Sequence, residues 1–241
     1  MAKIFRKEVA GPLVRAVCYT MQLPQDSEGT RAEKSKLSGA ARQRLNVRTS
    51  WEKCRLVVAA NFGAADLFVT LTYDDAHLPT NRKAAIQQMN AFFKRLRVAY
   101  RLAGAKNCDY LYVTEDKHGA GRLHHHAFLR GIPNAQETVE TVWGRGGAIV
   151  EPVNPLQLVD LSKYFCKEAA DGWRKVGQRL WTPSRGLKKP EVVREYVRDD
   201  FTLALPPGAV LIDNPTNRNA YGEFSYIEYW NPGSVADAPS N

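Results

Sequence analysis

Gly121-Arg122-Leu123-His124-His125-His126-Ala127-Phe128-Leu129 decides how the rest of this 241-residue chain is read. Three of the chain's five histidines stand consecutively in it. Gly121 precedes the run and Gly131 and Pro133 follow it, which predicts a β-strand over 123–129. Side chains alternate across a strand. His124, His126 and Phe128 therefore share one face, and His125, Ala127 and Leu129 share the other. The second set reads as the core side, with His125 its polar member. The first set holds two imidazoles about 7 Å apart along the strand, close enough to converge on one cation. A structural or surface histidine run is the plainer alternative.

Just upstream, Asp109 to Glu115 reads as another strand, and Lys117-His118-Gly119-Ala120-Gly121 as the turn between the two. That turn is too short for a crossover, so the strands pair antiparallel. The pairing brings Glu115 beside His124 and His126 as a candidate third ligand, with Asp116 as its rival. By count Glu115 is in phase with Leu111 and Val113 rather than with Tyr110 and Tyr112. Reaching the ion then calls for a bulge or for freedom at the strand end. Two imidazoles and one carboxylate suit Mn2+ and tolerate Mg2+ where water and phosphate oxygens complete the shell.

Further out, Leu67-Phe68-Val69-Thr70-Leu71-Thr72-Tyr73 is dense in β-formers and predicts a buried strand, broken by Asp74-Asp75 and Pro79. Asn81 to Leu102 predicts an amphipathic helix with Ile86, Met89, Phe93, Leu96 and Tyr100 on its apolar stripe. Lys94, Arg95, Arg97 and Arg101 lie on its other face, and Gly104 stops it. A short helix over 135–143, a strand over 148–153 and a helix over about 155–170 follow. Toward the N-terminus, Val47, Trp51, Cys54, Val58 and Phe62 recur at helical spacing from about Ser38 onward. Leu13 to Leu23 reads as a strand, and Val210 to Trp230 as a β hairpin. The order is that of an α+β protein with helices on one face of an antiparallel sheet.

Lys and Arg outnumber Asp and Glu by 34 to 25, for a net charge of +9, which fits a polyanionic partner as well as a merely basic soluble protein. Cys18, Cys54, Cys108 and Cys166 form no C-x-x-C. That argues against a zinc ribbon and fits reduced thiols in a cytoplasm. The N-terminus has no apolar signal-peptide core, and no run reaches the ~18–20 apolar residues needed to span a bilayer. No membrane partner is therefore expected.

On the helix predicted over 155–170, Leu158, Leu161, Phe165 and Ala169 form the apolar stripe. Tyr164 and Lys167 stand off it, three residues apart. A phenol of ordinary pKa near 10 is a poor nucleophile, and a neighbouring ammonium eases its ionisation. An ordinary amphipathic tyrosine would look the same, since Tyr164 is one of ten.

Phe68 to Tyr73, Gly121 to Leu129 and Tyr164-Phe165-Cys166-Lys167 together resemble the HUH endonuclease superfamily. Their order resembles its single-tyrosine rolling-circle replication initiators of phages and plasmids. The likeness covers roughly residues 65–170. It departs from the pattern at His125, where the family has a bulky apolar residue. It implies an RRM-like sheet, a metal held by His124, His126 and Glu115, and catalysis by Tyr164 assisted by Lys167. The implied reaction is a site-specific nick in single-stranded origin DNA through a 5′-phosphotyrosine. A single-tyrosine transposase, a non-catalytic single-strand-binding module and a metal-dependent hydrolase using activated water are the alternatives.

DNA contacts are expected from Arg95, Arg122, Arg179, Arg185 and Lys188, with Trp181 either stacking a base or anchoring the core. The chain carries no G-x-x-x-x-G-K-[ST], so unwinding is expected from a host helicase and extension from a host polymerase. The expected organisation is an N-terminal extension with a long helix over 1–64 and a nickase core over 65–172. A basic segment and hairpin packed on the core would cover 173–231, and a disordered tail 232–241.

Overall fold

The computed structural model describes residues 2–21, 40–116, 121–154, 179–214, 216–219 and 222–231. The chain divides into two compact units, one of residues 1–38 and 188–241, the other of residues 39–187. These limits differ from the sequence expectation because the N-terminal strands pair with C-terminal ones, not with the histidine sheet.

In the 39–187 unit the elements are α1 (Ala40–Asn61), β3 (Leu67–Thr72), α2 (Arg82–Leu102), β4 (Tyr110–Glu115), β5 (His124–Leu129), α3 (Ala135–Trp143), β6 (Ala148–Pro152) and β7 (Thr182–Pro183). The five strands form one antiparallel sheet in the order β6-β3-β5-β4-β7, so the histidine strand is central. The fold is α+β, as expected.

One sheet face carries Val69, Leu71, Tyr110, Tyr112, Ala127 and Leu129. It packs on Met89, Phe92, Phe93 and Leu96 of α2 and on Val139 and Trp143 of α3. Asn81 opens α2 because its side chain accepts a hydrogen bond from the Ala84 amide, satisfying a donor that the first turn leaves over. The buried stripe of α2 differs from the expected one at one position. Ile86 is exposed and Phe92 is fully buried. Both lie within the range of a 3.6-residue period, and packing, not spacing, chooses between them.

The opposite sheet face is also apolar. Phe68, Leu111, Val113 and Phe128 are buried there, and Phe62, just past α1, stacks on Phe128 with ring centroids 5.6 Å apart. Within α1, Cys54 and Val58 are fully buried. The loop 144–147 docks against the end of β3. The Thr72 amide donates to the Gly147 carbonyl and the Asp74 amide to the Arg145 carbonyl, each at 2.9 Å. Gly146 has φ 141°, and a Cβ there would lie 2.5 Å from the Asp74 nitrogen, so only glycine fits.

The other unit contains β1 (Ala2–Ala10), β2 (Leu13–Met21), β8 (Glu191–Val197), β9 (Val210–Asp213), β10 (Thr216–Asn219) and β11 (Gly222–Trp230). They form an antiparallel sheet in the order β10-β11-β2-β1-β8, with β9 also pairing β11. Val14, Ala16, Ile227 and Tyr229 make its core, flanked by Phe5, Val9, Leu203 and Ala209. The patterning read from sequence located β2 and the β9–β11 region but not β1 or β8.

Candidate metal centre

β4 and β5 pair so that Glu115 lies opposite His124, Val113 opposite His126 and Leu111 opposite Phe128. Directly opposed residues point to the same side of a sheet. Glu115, His124 and His126 thus share a face with no bulge, contrary to the expectation from sequence. That expectation assumed a single apolar face. Here both faces are apolar, so Leu111 and Val113 do not mark the side that packs on α2.

One ligand atom from each of Glu115, His124 and His126 lies within 4.8 Å of the others, and this group could hold a metal ion. The Glu115 Oε2 atom is 3.3 Å from His124 Nε2 and 3.8 Å from His126 Nε2. Glu115 Oε1 is buried and has no hydrogen-bond partner among the described residues. A buried carboxylate oxygen left in that condition is costly unless a cation meets it. Two imidazole nitrogens and a carboxylate match the mixed N/O set that Mn2+ accepts and Mg2+ tolerates. The residues present therefore fit a divalent cation.

The far sides of both rings are fixed. His124 Nδ1 donates to the Arg122 carbonyl at 3.0 Å, which leaves Nε2 as the lone-pair nitrogen. His126 Nδ1 lies 3.0 Å from Thr70 Oγ1 on the neighbouring strand, and its ring stacks on Phe68 at 5.7 Å. Such outer contacts set the ring orientation and tautomer of a ligand histidine. Burial pushes the His126 imidazolium down to about 4, with the Glu115 carboxylate opposing that shift. The ring is therefore neutral, and able to act as a ligand, at physiological pH.

His125 points to the other face and is fully buried. Its Nε2 is 2.7 Å from the Tyr73 hydroxyl and its Nδ1 is 2.9 Å from Thr114 Oγ1. Burial drives the Tyr73 phenol well above its ordinary range and His125 down to about 3. Tyr73 therefore keeps its proton and donates it to Nε2, and Nδ1–H donates to Thr114. With both nitrogens engaged, His125 is a core residue and not a ligand. Asp116, the rival carboxylate, is turned toward Arg82 at 3.6 Å.

Of the other residues singled out from sequence, Tyr164 and Lys167 lie outside the described residues. Arg122 donates to the Tyr73 carbonyl at 2.9 Å and pairs with Asp75 at 2.7 Å, tying the loop after β3 to the start of β5. Arg95 donates to the Val142 carbonyl at 2.9 Å, linking α2 to α3 on the face away from the ligands. The Trp181 indole donates to the Ser50 carbonyl at 3.1 Å, and the side chain is half-buried, so it anchors β7 to α1. Arg179, Arg185 and Lys188 are exposed. Thr70 and Thr114 escaped the sequence reading. Their roles depend on which residue faces which across β3, β5 and β4, and the alternation within Thr70-Leu71-Thr72 was the only local signal.

Residues 66–171 match the model of a replication-associated protein family, the ORF2 type. The matched stretch contains all three ligands and Tyr164. It spans less than half of the chain, and it supports a role in replication. No curated protein and no solved structure matches the chain. Among the described residues no helix is long and apolar enough to cross a membrane.

Proposed function

We propose that this protein nicks and rejoins single-stranded origin DNA, initiating rolling-circle replication. The observation that carries this reading is a cation-ready Glu115-His124-His126 cluster inside the stretch similar to a replication-associated family. A divalent ion held there, Mn2+ or Mg2+, supplies Lewis-acid polarisation of a phosphate oxygen. Tyr164 is the nucleophile. Its phenolic oxygen attacks phosphorus, the bond from phosphorus to the 3′ oxygen breaks, and that oxygen takes up a proton. The products are a 5′-phosphotyrosine and a free 3′-hydroxyl. Lys167, three residues on, favours the phenolate by its charge. The neutral rings of His124 and His126, locked by the Arg122 carbonyl and Thr70, hold their nitrogens toward Glu115 without rearrangement.

The ester keeps most of the phosphodiester's energy, so a 3′-hydroxyl can reverse the step and join strands without a nucleotide cofactor. A host polymerase extends the 3′-hydroxyl and a host helicase unwinds ahead of it. The test is to incubate the protein with origin oligonucleotide and Mn2+ and to look for a protein–DNA adduct that survives denaturation. Wild type should form it and Tyr164→Phe should not. An undiminished adduct in Tyr164→Phe moves the nucleophile elsewhere. Cleavage with no adduct in either protein replaces tyrosine attack with attack by water.

A further inference from the structure

At the opposite end of β4 from Glu115 the surface opens into a groove of about 880 Å3. It is bounded by the last turn of α2, the α2–β4 connection and the β7 loop. Its rim carries Arg97, Arg101, Lys106 and Arg185. Five residues of strand separate Tyr110 at this end from Glu115, or roughly 17 Å. The groove also opens on the α2 side of the sheet, not the ligand side.

The charge there is uncompensated. Arg101, Lys106 and Arg185 are exposed and make no ion pair among the described residues. Asp109 is the one acidic residue lining the groove, and its carboxylate is already taken. One oxygen lies 3.5 Å from the Arg130 guanidinium, and the other packs so closely on Gly186 that a Cβ there would sit 2.9 Å away. The walls are fixed before anything binds. The Ser184 amide donates to the Tyr110 carbonyl at 2.7 Å, and the Tyr110 amide donates to Ser184 Oγ at 3.2 Å. The Tyr110 ring stacks on Phe93 at 3.6 Å, and Arg97 donates to its hydroxyl at 3.1 Å.

The cations do not converge on a point. Arg101 follows Arg97 by one helical turn, about 6 Å along the rim, and Lys106 and Arg185 stand on separate segments. Spaced cations on a preformed polar trough fit spaced anions on a chain. We infer that this groove binds the sugar-phosphate backbone of single-stranded nucleic acid, as an anchoring site separate from the metal centre. The inference takes its partner from the reading above, but it requires no cleavage.

The test measures binding of a labelled oligothymidylate of about 16 nucleotides by fluorescence anisotropy. EDTA is present, so neither metal nor chemistry contributes. The combined variant Arg101→Gln, Lys106→Gln, Arg185→Gln removes three phosphate contacts. Affinity at about 0.1 M salt should fall about 100-fold, and the slope of log affinity against log salt should drop by about 2. A matched variant, Lys53→Gln, Lys83→Gln, Lys94→Gln, removes the same charge from exposed sites elsewhere and should bind nearly as wild type does. A thermal melt of each variant checks that it is folded. Equal affinity and slope in wild type and the groove variant would overturn the site. So would an equal loss in the matched variant, which would mean that only net charge matters. If the groove variant loses duplex binding and keeps single-strand binding, the assignment to a single strand fails. The adduct experiment with Tyr164→Phe reports on catalysis independently.

Discussion

Glu8 in one unit and Glu115 in the other are buried to the same degree, each 7% exposed, yet the chain treats them differently. Glu8 lies opposite Arg15 across β1 and β2. It accepts from the Arg15 Nε and from an Arg6 terminal nitrogen, each at 2.6 Å. On the same sheet, buried Lys3 donates to two backbone carbonyls. Every buried charge just named is matched from within. Glu115 faces two imidazoles instead, and one of them is held neutral by burial. Its negative charge is unbalanced among the described residues. A buried carboxylate with an arginine opposite is structure. A buried carboxylate with neutral nitrogens opposite is a place for a cation.

That contrast can be broken by exchanging the consequences. Glu115→Gln should weaken Mn2+ binding about 1,000-fold, or about 4 kcal/mol, by calorimetric titration. It should leave the metal-free melting temperature unchanged or higher, because it removes an unbalanced buried charge. A large loss of metal-free stability would show that Glu115 is a structural residue after all. Glu8→Ala should do the reverse. It strands Arg15, costs about 3 kcal/mol in a denaturant titration, and leaves Mn2+ affinity as it was. Tyr73→Phe sharpens the comparison by emptying one partner of buried His125. A cost of about 2 kcal/mol is expected, again with metal affinity retained, since His125 is not a ligand. The smallest effect belongs to Thr70→Val. Losing the contact that orients His126 should weaken Mn2+ about tenfold, with stability little changed. Equal affinity in that variant would mean that stacking on Phe68 is enough to hold the ring.

The histidine sheet was legible because its signals are local. β3, β4, β5, α2 and α3 each announce themselves within a dozen residues, through Leu67 to Thr72, Asn81 with its helical stripe, and the alternation of His124 to Leu129. The ligand trio could be named from that alternation and one short turn. What failed was inference across distance. β8 pairs with β1 from nearly 190 residues away, and nearly all of its residues are exposed, so no buried face marks it as a strand. The phase of Glu115 was misjudged because Val113 and Leu111 are apolar on a face where core was not expected. Trp181 could be read two ways, and only the Ser50 carbonyl 131 residues back decides between them.

The imidazoles that would meet the ion stand on a strand laddered along both edges, by β3 on one side and β4 on the other. Amides of such a middle strand exchange with solvent only through large openings, so this backbone belongs to the slowest-moving part of its unit. Stripping and reloading the centre is then a matter of solvent and side chains, with no refolding step. Different divalent ions can be exchanged through one unchanged scaffold, and differences in rate among them can be read as properties of the ions.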